Sequence, residues 1–140
     1  MIDKETGSIR LSDTCQLHAG DALPDVSTFP ASEIQQVVDH KNGWQWLTSK
    51  NLVVDGQYII LSLGYYANAL QQIELIVSQD RFDLTVGCDS WSEQNELDIR
   101  TALRVWLRNE LGREGRFAWG EAQASYDPKG GYSSIGIRYR

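Results

Sequence analysis

The chain has 140 residues, 41% of them hydrophobic, and a formal net charge of −6. This length fits one domain, residues 1–140, that can bury a core without the help of disulfides or metal ions. The apolar content excludes a disordered chain. The negative charge argues against nucleic acid as the main ligand, and no apolar run reaches the ~20 residues that span a membrane.

The N-terminal part is predicted to hold two short strands followed by a surface loop. Residues 8–11 and 15–18 have the strand pattern. Pro24 and Pro30 lie among Asp, Ser and Thr in residues 20–32, which indicates a loop. Three apolar residues of this loop are expected to pack under the body of the protein: Leu23, Val26 and Phe29.

A β-hairpin is predicted around Asn42-Gly43, because both central residues of a type I′ turn need positive φ. A two-residue turn there pairs Val38 with Leu47. Trp44 and Trp46 then share one strand face, since side chains alternate along a strand. Two interpretations stay open: both tryptophans belong to the core, or the face of Val38 and Leu47 is buried and the tryptophans are exposed binding residues.

Further strands are predicted to continue this hairpin as a meander. Asp55-Gly56 is a second type I′ signal, and residues 57–66, 70–77 and 82–86 follow it with apolar side chains at alternate positions. Ser62 and Gly64 alternate with the apolar residues of the first of these strands. One face of the sheet is therefore expected to carry the core.

One long helix is predicted over about 91–111. Ser90 and Glu93 have the spacing of a capping box, and Gly112 is suited to end the helix. Apolar residues at three- and four-residue steps form a stripe that a sheet would cover. The stripe comprises Ile99, Ala102, Leu103, Trp106 and Leu111, with Leu107 at its edge.

Two strands are predicted after the helix. Residues 116–126 form one alternating strand with small side chains on one face, and residues 127–131 form a Pro-Gly turn into the last strand. The predicted fold class is α+β: an antiparallel β-meander sheet of about seven or eight strands, with the long helix packed on it and a C-terminal β-hairpin.

The sequence contains no recognisable catalytic or metal-binding motif. His18 and His40 are the only histidines, and Cys15 and Cys88 form no second closely spaced pair of zinc ligands. Nucleophile-elbow and phosphate-loop motifs are missing as well. We therefore expect no catalytic site, metal or cofactor. The alternative is a small enzyme whose carboxylates and His40 converge only in the fold.

The acidic residues are concentrated in the first part of the chain. Residues 1–98 hold 15 acidic and 5 basic side chains, a net −10, whereas residues 99–140 hold 4 and 8, a net +4. Such charge suits a cationic protein partner, and the competing interpretation is that it only maintains solubility. The predicted partner-binding residues are Asp39, Trp44, Trp46, Asp80, Asp83 and Asp89.

Several segments resemble small bacterial immunity proteins encoded beside polymorphic or contact-dependent toxins. They are Ser90-Trp91-Ser92-Glu93, Trp106-Leu107 with Leu111-Gly112, Phe117-Ala118-Trp119-Gly120, Ser125-Tyr126-Asp127-Pro128-Lys129-Gly130 and Ile135-Gly136-Ile137-Arg138-Tyr139. The polar N-terminus lacks the apolar core of a secretion signal, which predicts a cytoplasmic protein. Together with the acidic charge and the missing catalytic motifs, the resemblance predicts a non-catalytic inhibitor that occludes a toxin domain. The matching residues are cap, turn and core positions, so no site residue carries over. A carbohydrate- or small-ligand-binding module built on Trp44 and Trp46 is a further alternative, and the oligomeric state stays open.

Overall fold

The computed structural model describes residues 1–85 and 92–140. Within them lie nine strands, one α-helix and one short 3₁₀ helix. In chain order these are β1 (Ile9–Ser12), β2 (Cys15–Leu17), the 3₁₀ helix (Val26–Thr28), β3 (Ile34–Asp39), β4 (Trp44–Val54), β5 (Gln57–Tyr66), β6 (Ala69–Ser78), α1 (Glu93–Leu111), β7 (Gly115–Phe117), β8 (Gly120–Asp127) and β9 (Tyr132–Tyr139). In this part of the chain, no helix has the length and hydropathy that crossing a membrane requires.

Two antiparallel sheets contain these strands. β1 and β2 form a small sheet, and the other seven strands are ordered β3-β4-β5-β6-β9-β8-β7. Every pairing in the large sheet is antiparallel. The first four strands are consecutive hairpins, and β8 with β9 is the C-terminal hairpin. The predicted α+β fold with a meander sheet and one long helix is confirmed.

One face of the large sheet carries the core. Alternate side chains of β5 on this face are at most 1% exposed, and α1 packs against β8 and β9. Core residues of β1 and β2, such as Ile9 and Leu17, belong to the same apolar cluster. The loop residues Leu23, Val26 and Phe29 pack against it as expected.

The helix begins two residues later than the capping box predicts. Ser92 is the N-cap, and its side chain accepts a hydrogen bond from the N–H of Asn95 at 3.1 Å. Ser90 lies outside the described residues. The helix ends at Gly112 as predicted, with a φ of 81°. The buried stripe is also rotated from the prediction, since Leu107 is fully buried whereas Ala102 is exposed.

The strand predicted at residues 82–86 does not form over residues 82–85. The N–H of Phe82 instead donates to Asn51 Oδ1 at 2.8 Å, and the carbonyl of Phe82 accepts from Asn51 Nδ2 at 2.9 Å. Asp83 accepts the N–H of Thr85 at 2.9 Å and closes a local turn. These backbone groups are bonded to side chains, which competes with a strand ladder. Val86 lies outside the described residues.

The strand predicted at residues 116–126 is two strands, β7 and β8, with a turn at Ala118-Trp119 between them. The turn places Trp119 where its indole N–H donates to the carbonyl of Lys4 at 2.9 Å. The Trp119 ring also stacks on Phe117, with ring centroids 4.9 Å apart. The turn thereby attaches the N-terminal segment to the large sheet.

Candidate functional site

The second face of the large sheet, here called the outer face, is opposite the core. Side chains alternate along each strand, so the residues between the buried ones point to it. On β4, Leu47 is 1% exposed on the core face, whereas Trp44 and Trp46 are half-buried on the outer face. Neither interpretation left open by the sequence holds in full. Leu47 is buried and the tryptophans lie on the other face, but Val38 is on the side of Trp46 and is 38% exposed, and the tryptophans are half-buried.

The hairpin that presents the tryptophans has a different turn from the predicted one. Val37, not Val38, pairs with Leu47, and Val38 pairs with Trp46. The loop has three residues, 41–43, and the N–H of His40 donates to the carbonyl of Trp44 at 3.0 Å to close it. The predicted two-residue turn at Asn42-Gly43 is therefore wrong, and the observed pairing of β3 with β4 is shifted by one residue from the predicted pairing.

Three side chains form an aromatic cluster on the outer face: Trp44, Trp46 and Tyr66. The Trp44 and Trp46 rings stack with centroids 6.1 Å apart and planes at 14°, and Trp44 and Tyr66 meet at 5.2 Å and 48°. Tyr66 is 47% exposed. A shallow hollow of about 310 Å³ adjoins the cluster, bordered by both tryptophans and by His40, Asn42 and Gln72.

The outer face continues from the aromatic cluster into a polar trough of about 200 Å³ over β6, β9 and β8. Its lining includes Gln72, Glu74, Glu121, Gln123 and Arg138. Gln72 borders both the hollow and the trough, so the two depressions share an edge. The outer face therefore offers apolar and hydrogen-bonding groups side by side.

Asp39 lies at the same hairpin as the two tryptophans. Its Oδ1 accepts the N–H of Lys41 at 2.8 Å, and its Oδ2 accepts from the side-chain amide of Gln45 at 3.5 Å. The bond from Lys41 is the main reason that the pKa of Asp39 is below its ordinary value. Asp39 pairs with Gln45, which alternates with Trp44 and Trp46 along β4. The structure therefore places Asp39 on the same hairpin as the two tryptophans but on the other face of the sheet.

Asp80 and Asp83 lie at the opposite end of the sheet from Asp39. They follow Ser78, whose partner in β5 is Tyr58. Asp39 pairs with Gln45 of β4, and Gln45 pairs with Tyr65 of β5. Seven residues of strand separate these levels, roughly 23 Å at the usual rise. Asp89 is outside the described residues.

Many of the described acids serve turns or ion pairs. The acids that accept a local backbone N–H are Asp3, Asp21, Asp25, Asp39, Asp83 and Asp127. Asp55 pairs with Arg10 at 3.1 Å, and Glu33 pairs with Arg81 at 2.5 Å. Part of the acidic excess therefore has a structural explanation, because Asp side chains stabilise turns by such bonds.

The described residues include one Ser–His pair, with Ser8 Oγ and His18 Nδ1 2.8 Å apart, but no group of side chains that could hold a metal ion. No cluster of three or more potential metal-ligating side chains occurs within residues 1–85 and 92–140. Hydrogen bonds lower the pKa of several carboxyls, including Asp25 and Glu33, whereas a general acid at neutral pH needs a raised pKa. Burial raises the pKa of the Cys15 thiol, which disfavours the nucleophilic thiolate.

Sequence reasoning missed Tyr66, Gln72 and the residues of the polar trough. One signal for Tyr66 was present in the sequence. Gly64 lies between apolar residues of β5 and so marks the outer face, on which Tyr66, two residues later, also lies. Gln72 and Arg138 become neighbours only through the pairing of β6 with β9. That pairing joins strands separated by the helix, and no local pattern predicts it.

Comparison with known proteins gives one fold match. The chain is similar to a chain of a solved structure described as Rhs1-CT in complex with cognate immunity protein RhsI1, at 16% sequence identity and a TM-score of 0.58. The match covers 99% of this chain and 86% of the other. No family model and no curated protein matches the sequence. At this level of identity the likeness shows the fold.

Proposed function

We propose that this protein is a non-catalytic, immunity-type inhibitor that binds a protein toxin domain and occludes it. The observation that carries this proposal is the aromatic cluster of Trp44, Trp46 and Tyr66, which lies on the face of the sheet opposite the core. Tryptophan and tyrosine are the residues most enriched at the energetic centres of protein interfaces. We therefore assign the centre of the binding surface to this cluster.

The cluster is pre-organised for binding. Trp44 and Trp46 already stack on one another, and Trp46 also packs over Gly64 of the neighbouring strand. Side chains that are ordered before association lose less conformational entropy when a partner arrives. Large aromatic side chains also remove much apolar area from water when they are covered.

The fold likeness supports the same function. The similar chain belongs to a complex of Rhs1-CT with its cognate immunity protein, and segments of this sequence independently resemble immunity proteins. Both observations favour a protein that works by binding another protein. The proposed location is the cytoplasm.

The proposed toxin domain is cationic. The net charge of −6 would accelerate its association and make the rate depend on ionic strength. Asp39 lies on the same hairpin as the aromatic cluster, with its side chain on the other face of the sheet, and is proposed to contact the toxin at the end of the hairpin. Asp80, Asp83 and Asp89 are proposed to contribute a second acidic contact or long-range attraction, because Asp80 and Asp83 lie at the far end of the sheet.

The test uses the C-terminal domain of a large toxin encoded next to this chain's gene. Co-expression should restore growth of cells that produce the toxin domain, and calorimetry should give a 1:1 complex. Replacing Trp44 and Trp46 together by alanine should weaken binding by at least about 30-fold, the effect of losing about 2 kcal/mol at a hot spot. Val105→Ala, on an exposed position of α1, is the matched control and should bind normally.

Two results would contradict the proposal. One is growth arrest caused by this chain alone, which would make it the toxic component of a pair. The other is unchanged affinity for the toxin domain in the double tryptophan variant, with its fold verified by circular dichroism. Either result would remove the aromatic cluster from the proposed inhibitory role.

A carbohydrate-binding module is a second candidate, favoured by the polar groups of His40, Asn42 and Gln72 around the hollow beside the tryptophans. Sugars stack on aromatic rings and bond to such groups. Titration of the protein with a panel of oligosaccharides, followed by tryptophan fluorescence, tests it. Saturable quenching that disappears in Trp44→Ala would favour this candidate over the inhibitor.

A further inference from the structure

Among the described residues, no element covers the outer edge of β3. Within residues 1–85 and 92–140, β3 pairs with β4 alone, and all six of its residues are exposed. It contains no proline or lysine, and Asp39 at its end is its one charged residue. Natural proteins usually shorten or charge such an edge because it can pair with another chain. The other edge strand, β7, has three residues.

The hydrogen-bonding pattern shows which backbone groups of β3 are available. The N–H of His40 donates to Trp44, its partner across the hairpin. Hydrogen-bonded pairs alternate along antiparallel strands, so Ile34, Gln36 and Val38 also direct their backbone groups to β4. The N–H and C=O groups of Gln35, Val37 and Asp39 therefore point away from the sheet.

We propose that two copies of this chain pair along β3, antiparallel and with Val37 on the two-fold axis. Because only outward-pointing residues can form hydrogen-bonded pairs, few registers are possible. A register centred on residue 36 places Glu33 opposite Asp39, and like charges directly opposite are destabilising. A register centred on residue 38 shortens the pairing. The register centred on Val37 avoids both problems.

This register makes the strand complementary to itself. Each Gln35 lies opposite Asp39 of the other copy, where an amide can donate to a carboxylate. The two Val37 side chains, each 47% exposed, cover one another on the axis. On the other side of the strand, Gln36 lies opposite Val38, which is 38% exposed. The result is one continuous sheet across two copies, formed without a second binding surface.

The interface is small, so the dimer should be reversible. A pairing of six residues buries less than the ~1,600 Å² of a standard stable interface, which predicts dissociation in about the micromolar range. The aromatic cluster lies on the outer face and not at the edge, so binding at the cluster and dimerisation are separable, whereas Asp39 is proposed for both contacts.

Sedimentation velocity over about 5 to 500 µM tests the dimer. The sedimentation coefficient of the natural protein should rise with concentration. Val37→Pro removes an N–H that points away from β4, and proline is tolerated at such an edge position. We expect dimerisation at least about tenfold weaker, with an unchanged melting temperature. Val37→Lys, which places two like charges on the axis, serves as the second variant, and Val105→Lys is the matched control.

Cysteine cross-linking tests the register. Directly opposite residues of a hydrogen-bonded pair have Cα atoms about 5.5 Å apart, within the range that a disulfide spans. Val37→Cys should therefore form a disulfide-linked dimer under mild oxidation, whereas Val105→Cys and the natural protein should not.

Three outcomes would overturn the proposal. The first is that the natural protein stays monomeric at every concentration, and the second is that the Val37→Cys variant does not cross-link. The third is that the natural protein is monomeric and the Val37→Pro variant loses toxin binding. The last outcome would mean that the edge accepts a strand of the toxin. Loss of the dimer with full toxin affinity would support the proposal and leave the inhibitory function intact.

Discussion

The indole of Trp46 lies over Gly64 of the neighbouring strand, its direct partner in the sheet. A Cβ atom at residue 64 would be 2.7 Å from Cη2 of Trp46, closer than non-bonded atoms approach. The position of the aromatic cluster therefore depends on the absence of a side chain at residue 64.

Gly64→Ala should displace the Trp46 ring and weaken binding of the toxin domain by about tenfold. The strain of overpacking should lower the free energy of unfolding by no more than about 1–3 kcal/mol, because the far end of the indole can move. Tryptophan emission and calorimetry measure the two effects. Gly136→Ala is the matched control, since a Cβ at this position of β9 meets no atom within 4 Å. Equal emission spectra and affinities in the two variants would contradict the prediction.

Asn51 should be among the most sensitive polar residues of the fold. It is 2% exposed, has a φ of 55°, and bonds both backbone groups of Phe82. Asn51→Ala should lower the free energy of unfolding by about 3 kcal/mol, because it leaves buried groups unpaired and disfavours the positive φ.

Asn51→Gly separates these two effects, since glycine accepts a positive φ but cannot bond Phe82. Its loss should be smaller than that of Asn51→Ala, and urea denaturation measures both. Equal losses in the two variants would show that backbone conformation contributes little at this position.

Gly7 should not tolerate a side chain. Its φ is 72°, and a Cβ there would lie 2.5 Å from the Trp119 ring. Gly7→Ala should lower the melting temperature more than Gly56→Ala does, because Gly56 has a similar φ of 77° but open space around it. The difference between the two variants isolates the steric term from the conformational cost, which is about 1 kcal/mol. Equal melting temperatures would mean that the N-terminal segment moves away from Trp119 at little cost.

The free energy of unfolding should decrease at acid pH, and protonation of Glu33 should account for part of the decrease. The hydrogen bond from Arg81 holds the pKa of Glu33 below its ordinary value of 4.5. A lowered pKa stabilises the folded state fully above the ordinary value, and this contribution is lost as the pH falls through the lowered pKa.

Urea midpoints of the natural protein should therefore stay level from pH 7 to about pH 5 and decrease below about pH 4. Glu33→Gln should make the decrease less steep. A decrease of equal steepness in this variant would assign the acid sensitivity to other carboxyls, such as Asp25, whose pKa is lowered by its bonds to Ser27.

The strand pattern of this protein is readable from sequence because alternation is a property of the strand itself. Trp44 and Trp46 lie opposite Leu47 whichever turn precedes them, so the error in the hairpin register did not move them to the other face. The observed loop has three residues, and within it Asp39 accepts the N–H of Lys41. A dipeptide preference does not include that bond.

Tyr66 was missed because its place depends on a bulge. The pairing after the Asp55-Gly56 turn shifts between Ser49 and Leu52, and this shift brings Trp44 opposite Tyr66. Counting from the turn without the shift would place Trp44 opposite residue 67. The bulge contains Asn51, whose positive φ is linked to its bonds with Phe82 some 30 residues later. Contacts this distant in sequence leave no periodic pattern.

The division of each strand between a core face and an outer face has a consequence for inheritance. A substitution at a solvent-facing position changes what the protein recognises without opening a cavity behind it, because the residues that determine folding are its neighbours in sequence on the other side. The binding specificity of the protein can accordingly change by single substitutions while the fold is retained.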